Sequence, residues 1–268
     1  MTDRPVALVT GASSGLGECF ARALAASGHD LVLVARNGPA LETLGAELSA
    51  AQGAGAEVLV ADLATQAGRG AVADRIGAAG GVDTVVNNAG FGHYGPFHRL
   101  PLAGEVDQVE VNVVALLVLS HAALSVMVRR GSGRLLNVSS VGAFAPAPGG
   151  ATYSATKAFV LSFTEALHHE AAPAGVHVTA LCPGFTRTDF QQRAGVDSGG
   201  LPAPAWSEPA AVVAAGLAAL ERNRAVCVPG ALNKVAAVSP RLGPRGLTRR
   251  ISAGVMRRIE GPQPPAPG

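Results

Sequence analysis

Pro5-Val-Ala-Leu-Val-Thr10-Gly11-Ala-Ser13-Ser14-Gly15-Leu16-Gly17 is the stretch from which the rest of this 268-residue chain is read. Its first half is a short continuous apolar run, the pattern of a strand covered on both faces. Its second half is a glycine-rich turn that enters a helical pattern with Phe20, Leu24 and several alanines on one side. A strand, such a turn and a helix N-terminus together make a place for a pyrophosphate. The glycines let the backbone approach, and the unpaired N–H groups and the helix dipole favour negative charge. A glycine-rich loop alone says little; the flanking strand and helix supply the context the motif needs.

Working outward, the apolar run Asp30-Leu-Val-Leu-Val-Ala35 ends at Arg36, 19 residues after Gly17. In a dinucleotide-binding fold this strand end reaches the adenosine ribose. An acid there binds a free 2′-hydroxyl, whereas an arginine accommodates a 2′-phosphate. Ala35-Arg36 therefore favours NADP(H) over NAD(H), unless Arg36 is an ordinary surface arginine. Further strands are expected at Glu57–Ala61, Asp83–Asn87, Gly133–Ser140, Val176–Cys182 and Ala225–Pro229. Helices are expected over residues 39–52, 65–76, 104–130, 153–172 and 207–222. Asp62-Leu63 closes the third strand, where the carboxylate either accepts from an adenine amino group or caps the next helix. Ser207-Glu-Pro reads as an N-cap followed by a first turn with acid and proline. Strands alternating with helices at this spacing mean β-α-β units and a doubly wound parallel sheet of the α/β class. No internal repeat or linker divides the chain.

Composition agrees with a compact fold: hydrophobic residues make up 48% and charged residues 15%. No basic stretch followed by an apolar run opens the N-terminus, so no signal peptide is expected. The longest strongly apolar run, residues 113–119, is far shorter than the roughly 20 residues of a membrane span. Cys19, Cys182 and Cys227 are scattered without C-x-x-C spacing, which argues against a disulfide framework or a metal site and fits a reducing cytoplasm. The net charge of +2 hides an asymmetry. Residues 229–268 hold seven basic residues and one acid, while residues 1–228 carry a net −4. That C-terminal extension, residues 230–268, reads as basic and partly helical over residues 232–259, broken near Pro240 and Pro244, with a disordered Pro-rich end. A solvated helix packed on the body or on a neighbouring subunit is favoured over attachment to an anionic membrane surface. Nucleic acid is disfavoured because no aromatic stacking set accompanies the arginines.

Tyr153 and Lys157 stand one helical turn apart on one face. A phenol with a reference pKa of about 10 is a poor proton carrier near neutrality; a cation on the next turn favours the phenolate. Thirteen residues earlier the fifth strand ends in Ser139-Ser140, and Asn112 sits mid-helix, where asparagine is unfavourable unless its side chain or a local distortion has a role. His93 and Tyr94 lie in the loop of residues 91–97 after the fourth strand and either face substrate or simply pack. His168 and His169 read as surface residues. Residues 195–205, rich in Gly and Pro, read as a mobile flap.

Thr10-Gly-x-x-x-Gly-x-Gly17, Asn87-Asn-Ala-Gly90, Asn112, Ser140, Tyr153-x-x-x-Lys157 and Pro183-Gly184, in this order, resemble the short-chain dehydrogenase/reductase family, single-domain type, over residues 5–229. Basic C-terminal extensions occur in one bacterial branch. The resemblance implies a seven-stranded Rossmann-type sheet and a catalytic set of Asn112, Ser140, Tyr153 and Lys157. Tyr153 is then the general acid/base, Ser140 a hydrogen-bond donor to the developing oxyanion, and Lys157 the ligand of the nicotinamide ribose that lowers the tyrosine pKa. Asn112, by analogy, holds the helix open for a water chain to Lys157. The resemblance also implies cofactor contacts from Gly11, Ser13, Ser14, Gly15, Leu16, Gly17, Asp62, Leu63, Asn88, Ala89, Gly90, Pro183, Gly184, Thr186 and Thr188, beside Arg36. The expected activity is hydride transfer between NADP(H) and a carbonyl or secondary alcohol of an apolar small molecule, by a homodimer or homotetramer. The alternatives are a non-catalytic NADP(H)-binding scaffold or sensor, and a membrane-associated reductase of a lipid carbonyl.

Overall fold

The structure, a computed structural model, describes residues 4–78, 81–195 and 205–242. Seven parallel strands form one sheet: β1 (Val6–Thr10), β2 (Asp30–Ala35), β3 (Ala56–Val60), β4 (Thr84–Asn87), β5 (Gly133–Val138), β6 (Val176–Leu181) and β7 (Val226–Cys227). Their order across the sheet is β3-β2-β1-β4-β5-β6-β7. The direction of winding reverses between β1 and β4, and that switch point is where open α/β sheets take their ligands.

Alternation along the strands sends side chains to two cores. Ala7, Val9, Leu31 and Leu33 meet α1 (Gly15–Ala26), α2 (Gly38–Gln52) and α8 (Pro209–Glu221) through Phe20, Leu41, Leu48 and Val213. Leu8, Val32, Val34 and Val85 face the other way, onto Ile76 of α3 (Gln66–Gly77) and onto Leu119 and Met127 of α5 (Leu116–Arg130). Both faces of the sheet are therefore dry, which is why its strands read as unbroken apolar runs. Each fully buried Leu, Phe or Met in these layers contributes about 1.5–3 kcal/mol through burial.

Several boundaries differ from expectation for identifiable reasons. Thr65 caps α3, its side chain accepting from the Gly68 N–H, while Asp62 accepts the Ala64 N–H two residues on and so closes a local turn. The N-cap of α8 is Glu208. Ser207 is drawn into an extended bridge with Thr186. β7 is only two residues long, since it is an edge strand paired just to Ala180 and Leu181.

The helix expected over residues 104–130 is three pieces: α4 (Leu102–Val109), a π-helical segment (Glu110–Ala115) and α5. Asn112 lies inside the π segment, the local distortion that its unfavourable position implied. The whole stretch Leu102–Arg130 is 29 residues long and, by length and composition, apolar enough to cross a membrane, longer than the run of residues 113–119 suggested. Its inner stripe, including Ala115, Leu119, Ala123 and Met127, packs on the sheet. The C-terminal extension begins with α9 (Ala231–Leu242), which continues through position 240 instead of breaking there. The expected features beyond residue 242, and most of the expected flap, lie outside the described residues.

Candidate active site

The glycine turn follows β1 directly. Gly11 and Gly15 have φ of +67° and +58°, the left-handed region that side chains avoid. A Cβ on Gly17 would lie 2.1 Å from the Gly11 carbonyl oxygen, so the turn closes on the helix only without one. Ser14, the N-cap of α1, makes no side-chain capping bond, which leaves the first-turn N–H groups available to an anion. Ser13 and Leu16 are half-buried in the same turn. Arg36 projects exposed from the end of β2, and the Ala12 N–H of the turn bonds the Val34 carbonyl beside it. Among the described residues no acid or acceptor pairs with Arg36. An open turn and an uncapped helix N-terminus suit the pyrophosphate of a dinucleotide.

Residues 88–90 join β1 to β4 at this edge. The Thr10 hydroxyl accepts the N–H groups of Asn88 and Ala89, both at 3.0 Å, and Asn88 Nδ2 donates to the Thr10 carbonyl at 2.9 Å. These residues thus build the wall of the cleft by tying two strands together. Gly90 lies between Asn112 and Lys157: a Cβ there would sit 2.9 Å from Asn112 Oδ1 and 3.3 Å from Lys157 Nζ. Asp62 is exposed at the end of β3, but the Leu63 side chain is in the core and its carbonyl accepts from Arg69.

Asn112, Ser140, Tyr153 and Lys157 converge beyond β4 and β5. Lys157 is buried on α6 (Ala151–Ala171), and Nζ donates to the Val138 carbonyl at 2.9 Å. Asn112 Nδ2 donates to the Phe91 carbonyl (2.8 Å) and to Thr156 Oγ1 (3.1 Å), while Oδ1 accepts the Phe91 N–H (3.1 Å). The two serines at the end of β5 separate cleanly. Ser139 Oγ is buried and donates to the Lys157 carbonyl at 2.8 Å, whereas Ser140 starts a short 3-10 turn, its Oγ accepts the Gly142 N–H at 3.0 Å, and its hydroxyl acts to lower the pKa of the Tyr153 phenol. Ser140 is therefore the serine that faces the tyrosine.

The electrostatics correct one expectation. Burial pushes the Tyr153 phenol up to about 12, opposed by the neighbouring Ser140 hydroxyl. Burial also brings the Lys157 ammonium down to about 8. Nζ sits 5.8 Å from the centre of the Tyr153 ring and is bonded to Val138, and in the free protein burial, not the lysine, sets the direction of the tyrosine shift. Tyr94 is shifted upward as well, first by burial and then by its neighbour Tyr153. The chain has only these two tyrosines, so phenolate absorbance reports on this site alone. Titration of the free protein followed at 295 nm is expected to show no phenolate up to a pH of about 10, the reference value for the side chain. A phenolate step at lower pH would show that a positive charge reaches one ring without cofactor.

Two aromatic rings flank Tyr153: Tyr94 at 5.6 Å and Phe190 at 5.8 Å between centroids. Tyr94 is thus a site residue, while its neighbour His93 turns to Glu105. Phe190 belongs to the short helix α7 (Phe190–Arg193), whose Arg193 donates to Ser14 Oγ at 2.9 Å. Thr188 packs on Gly15, and Thr186 Oγ1 donates to the Gly184 carbonyl. The Pro183 carbonyl accepts the Val141 N–H. Asn233 of α9 presses on Gly184, where a Cβ would meet Asn233 Oδ1 at 2.3 Å. Phe190 and Asn233 carry no motif and no periodic signal; only the return of distant segments places them here.

A model for short chain dehydrogenases matches residues 5–198. The chain belongs to the short-chain dehydrogenase family. This short-chain dehydrogenase is 31% identical over 186 residues to the 3-oxoacyl-acyl-carrier-protein reductase of Aquifex aeolicus, an alignment covering 69% of this chain and 75% of the relative. Among solved structures it resembles a short-chain dehydrogenase from Sphingobium yanoikuyae in complex with NADPH, with 38% identity, a TM-score of 0.81 and coverage of 85% and 88% of the two chains. It also resembles the bulky-bulky ketone specific alcohol dehydrogenase of Comamonas testosteroni, with 33% identity, a TM-score of 0.77 and coverage of 85% and 87%. Its seven-stranded parallel sheet with helices on both faces is the Rossmann-type fold of that family.

Proposed function

We propose that this short-chain dehydrogenase is an NADP(H)-dependent oxidoreductase interconverting a carbonyl and a secondary alcohol on an apolar small molecule. The observation that carries the reading is the convergence of Ser140, Tyr153, Lys157 and Asn112 beside the glycine turn, with Tyr153 between two aromatic rings. Bound in the cleft, the nicotinamide supplies or accepts the hydride. Tyr153, held protonated by burial, gives its proton to the carbonyl oxygen as charge develops there, and takes it back in the oxidation. Ser140, whose hydroxyl faces the phenol, is the second donor to the same oxygen. Lys157, with a pKa near 8 against about 12 for the phenol, is the acid from which a proton returns to the tyrosinate downhill. Asn112 holds residue 91 and Thr156 in register around them.

NADP(H) is favoured by the exposed Arg36 cation, unpaired among the described residues, and the NADPH complex of the Sphingobium relative supports it. The aromatic walls from Tyr94 and Phe190 suit a bulky apolar ketone, in keeping with the Comamonas relative. Leu102, Val106, Leu117 and Phe159 are exposed on the helices around Asn112 and Tyr153, which supports a homo-oligomer built through that face.

The reading is tested by following NADPH oxidation at 340 nm against bulky ketones, aldehydes and 1,2-diketones, with NADH in parallel. Turnover that needs NADPH is expected. NADPH binding without turnover across the panel would leave a binder and sink the catalytic assignment.

A further inference from the structure

Glu105, Gln108 and Asn112 are spaced to share one helix face. That face is buried: the three residues are 4%, 0% and 1% exposed. A polar stripe in such a place opposes what packing asks of a helix. Gln108 Nε2 has no hydrogen-bond partner among the described residues. Among the described residues the Glu105 carboxyl, with its side chain 5% exposed, pairs only with His93 Nδ1 at 3.3 Å, and the His93 side chain is itself 39% exposed. One long contact to a half-exposed ring is a weak tie for a side chain this buried, so an apolar residue of similar size would hold the fold at least as well. Residues that break a packing rule without local gain are expected where function is served.

What these three groups share is the loop after β4. Asn112 brackets residue 91 through both its N–H and its carbonyl. Gln108 Oε1 accepts the His93 N–H at 2.7 Å. Glu105 Oε1 lies 3.3 Å from His93 Nδ1 and so ties the ring to the helix. At the far end the Gly95 N–H donates to the Gly149 carbonyl at 2.7 Å. Between these anchors lies Tyr94, against Tyr153. The seat is close-fitting on both sides: a Cβ on Gly104 would lie 2.8 Å from His93 Cε1, and one on Gly92 would lie 2.8 Å from Tyr153 Cδ2.

We infer that Glu105 is a positioning residue, retained at a cost in stability to lock His93, and through it to hold the Tyr94 ring as the substrate-side wall beside Tyr153. The effect on turnover rests on the oxidoreductase reading; the locking of the loop does not.

The test compares Glu105→Leu and Glu105→Gln with the wild type in the full-length protein. It reads thermal midpoint, amide hydrogen exchange over residues 92–95, NADPH affinity, and NADPH-dependent reduction of benzil as the probe ketone. Glu105→Leu is expected to keep or raise the midpoint while amide exchange in the loop accelerates about tenfold or more. NADPH affinity should stay within about twofold while kcat/KM for the probe falls about tenfold, mainly through KM. Glu105→Gln, which keeps an acceptor for His93, should restore the protection and most of the kcat/KM. Two results overturn the inference: a midpoint lowered together with faster exchange throughout the domain, which makes Glu105 a framework residue, or unchanged loop exchange in Glu105→Leu. If the wild type does not reduce the probe, the oxidoreductase reading is what fails, and the exchange data still decide the role of Glu105.

Discussion

Tyr153→Phe is expected to lower kcat by about 10²- to 10⁴-fold, the usual share of a positioned general acid, while NADPH affinity stays within about twofold. The substitution removes one oxygen. The ring keeps its neighbours Tyr94 and Phe190, so the walls of the cleft stand. What goes is the proton donor that faces Ser140. The phenol also decides the pH behaviour. Its pKa in the free protein is near 12, above the ordinary value, so the folded state favours the protonated ring and the donor is present across the neutral range. Reduction should therefore show no loss from tyrosine ionisation below a pH of about 10. Stopped-flow hydride transfer and fluorescence titration with NADPH measure the two halves separately. Wild-type-like transfer in the phenylalanine variant would remove Tyr153 from the chemistry. Weakened NADPH binding with normal transfer would recast it as a cofactor residue.

Arg36→Asp should reverse the cofactor preference. Arg36 is exposed and has no partner among the described residues, so it stands ready to meet a 2′-phosphate at the end of β2. Losing a charge-assisted contact of this kind costs about 2–5 kcal/mol in buried interfaces, and exposure brings the expectation to the low end of that range. At 1.4 kcal/mol per tenfold, a loss of about 2–3 kcal/mol is a shift of roughly 30- to 150-fold in the ratio of NADPH to NADH dissociation constants. The aspartate adds repulsion of the phosphate and offers an acceptor to the free ribose hydroxyl, so NADH should bind at least as well as before. Arg36→Ala separates the two effects: it should weaken NADPH and leave NADH unchanged. An unaltered ratio in both variants would place the 2′-phosphate elsewhere, with the half-buried Ser13 as the first position to examine.

Much of this molecule was legible in the amino-acid sequence because the signals are local. The apolar runs at β1, β2, β4 and β6 needed no partner to be recognised, since a strand dry on both faces is apolar throughout. The glycine turn was equally plain, because positive φ at Gly11 and Gly15 and the missing Cβ at Gly17 are demands on single residues. Tyr153 and Lys157 share a helix face, and Asn112 sits in a helix interior that disfavours it. Each is a relation over at most a few residues.

Tertiary structure decided what depends on distant segments meeting. Ser207 was available as a helix cap, but the chain after β6 pairs with it and hands the position to Glu208. Lys157 was one turn from Tyr153, yet its bond to Val138 and the burial of both residues reverse the expected direction of the tyrosine shift. Ser139 and Ser140 were adjacent and alike until α6 engaged the first through the Lys157 carbonyl and left the second facing the phenol. Tyr94, Phe190 and Asn233 come from three separate parts of the chain. Local pattern specifies which elements form, because backbone preference and hydrophobic period act over a few residues. Which side chains share a cleft is set by packing and desolvation, which act only once the sheet has brought its loops to one edge.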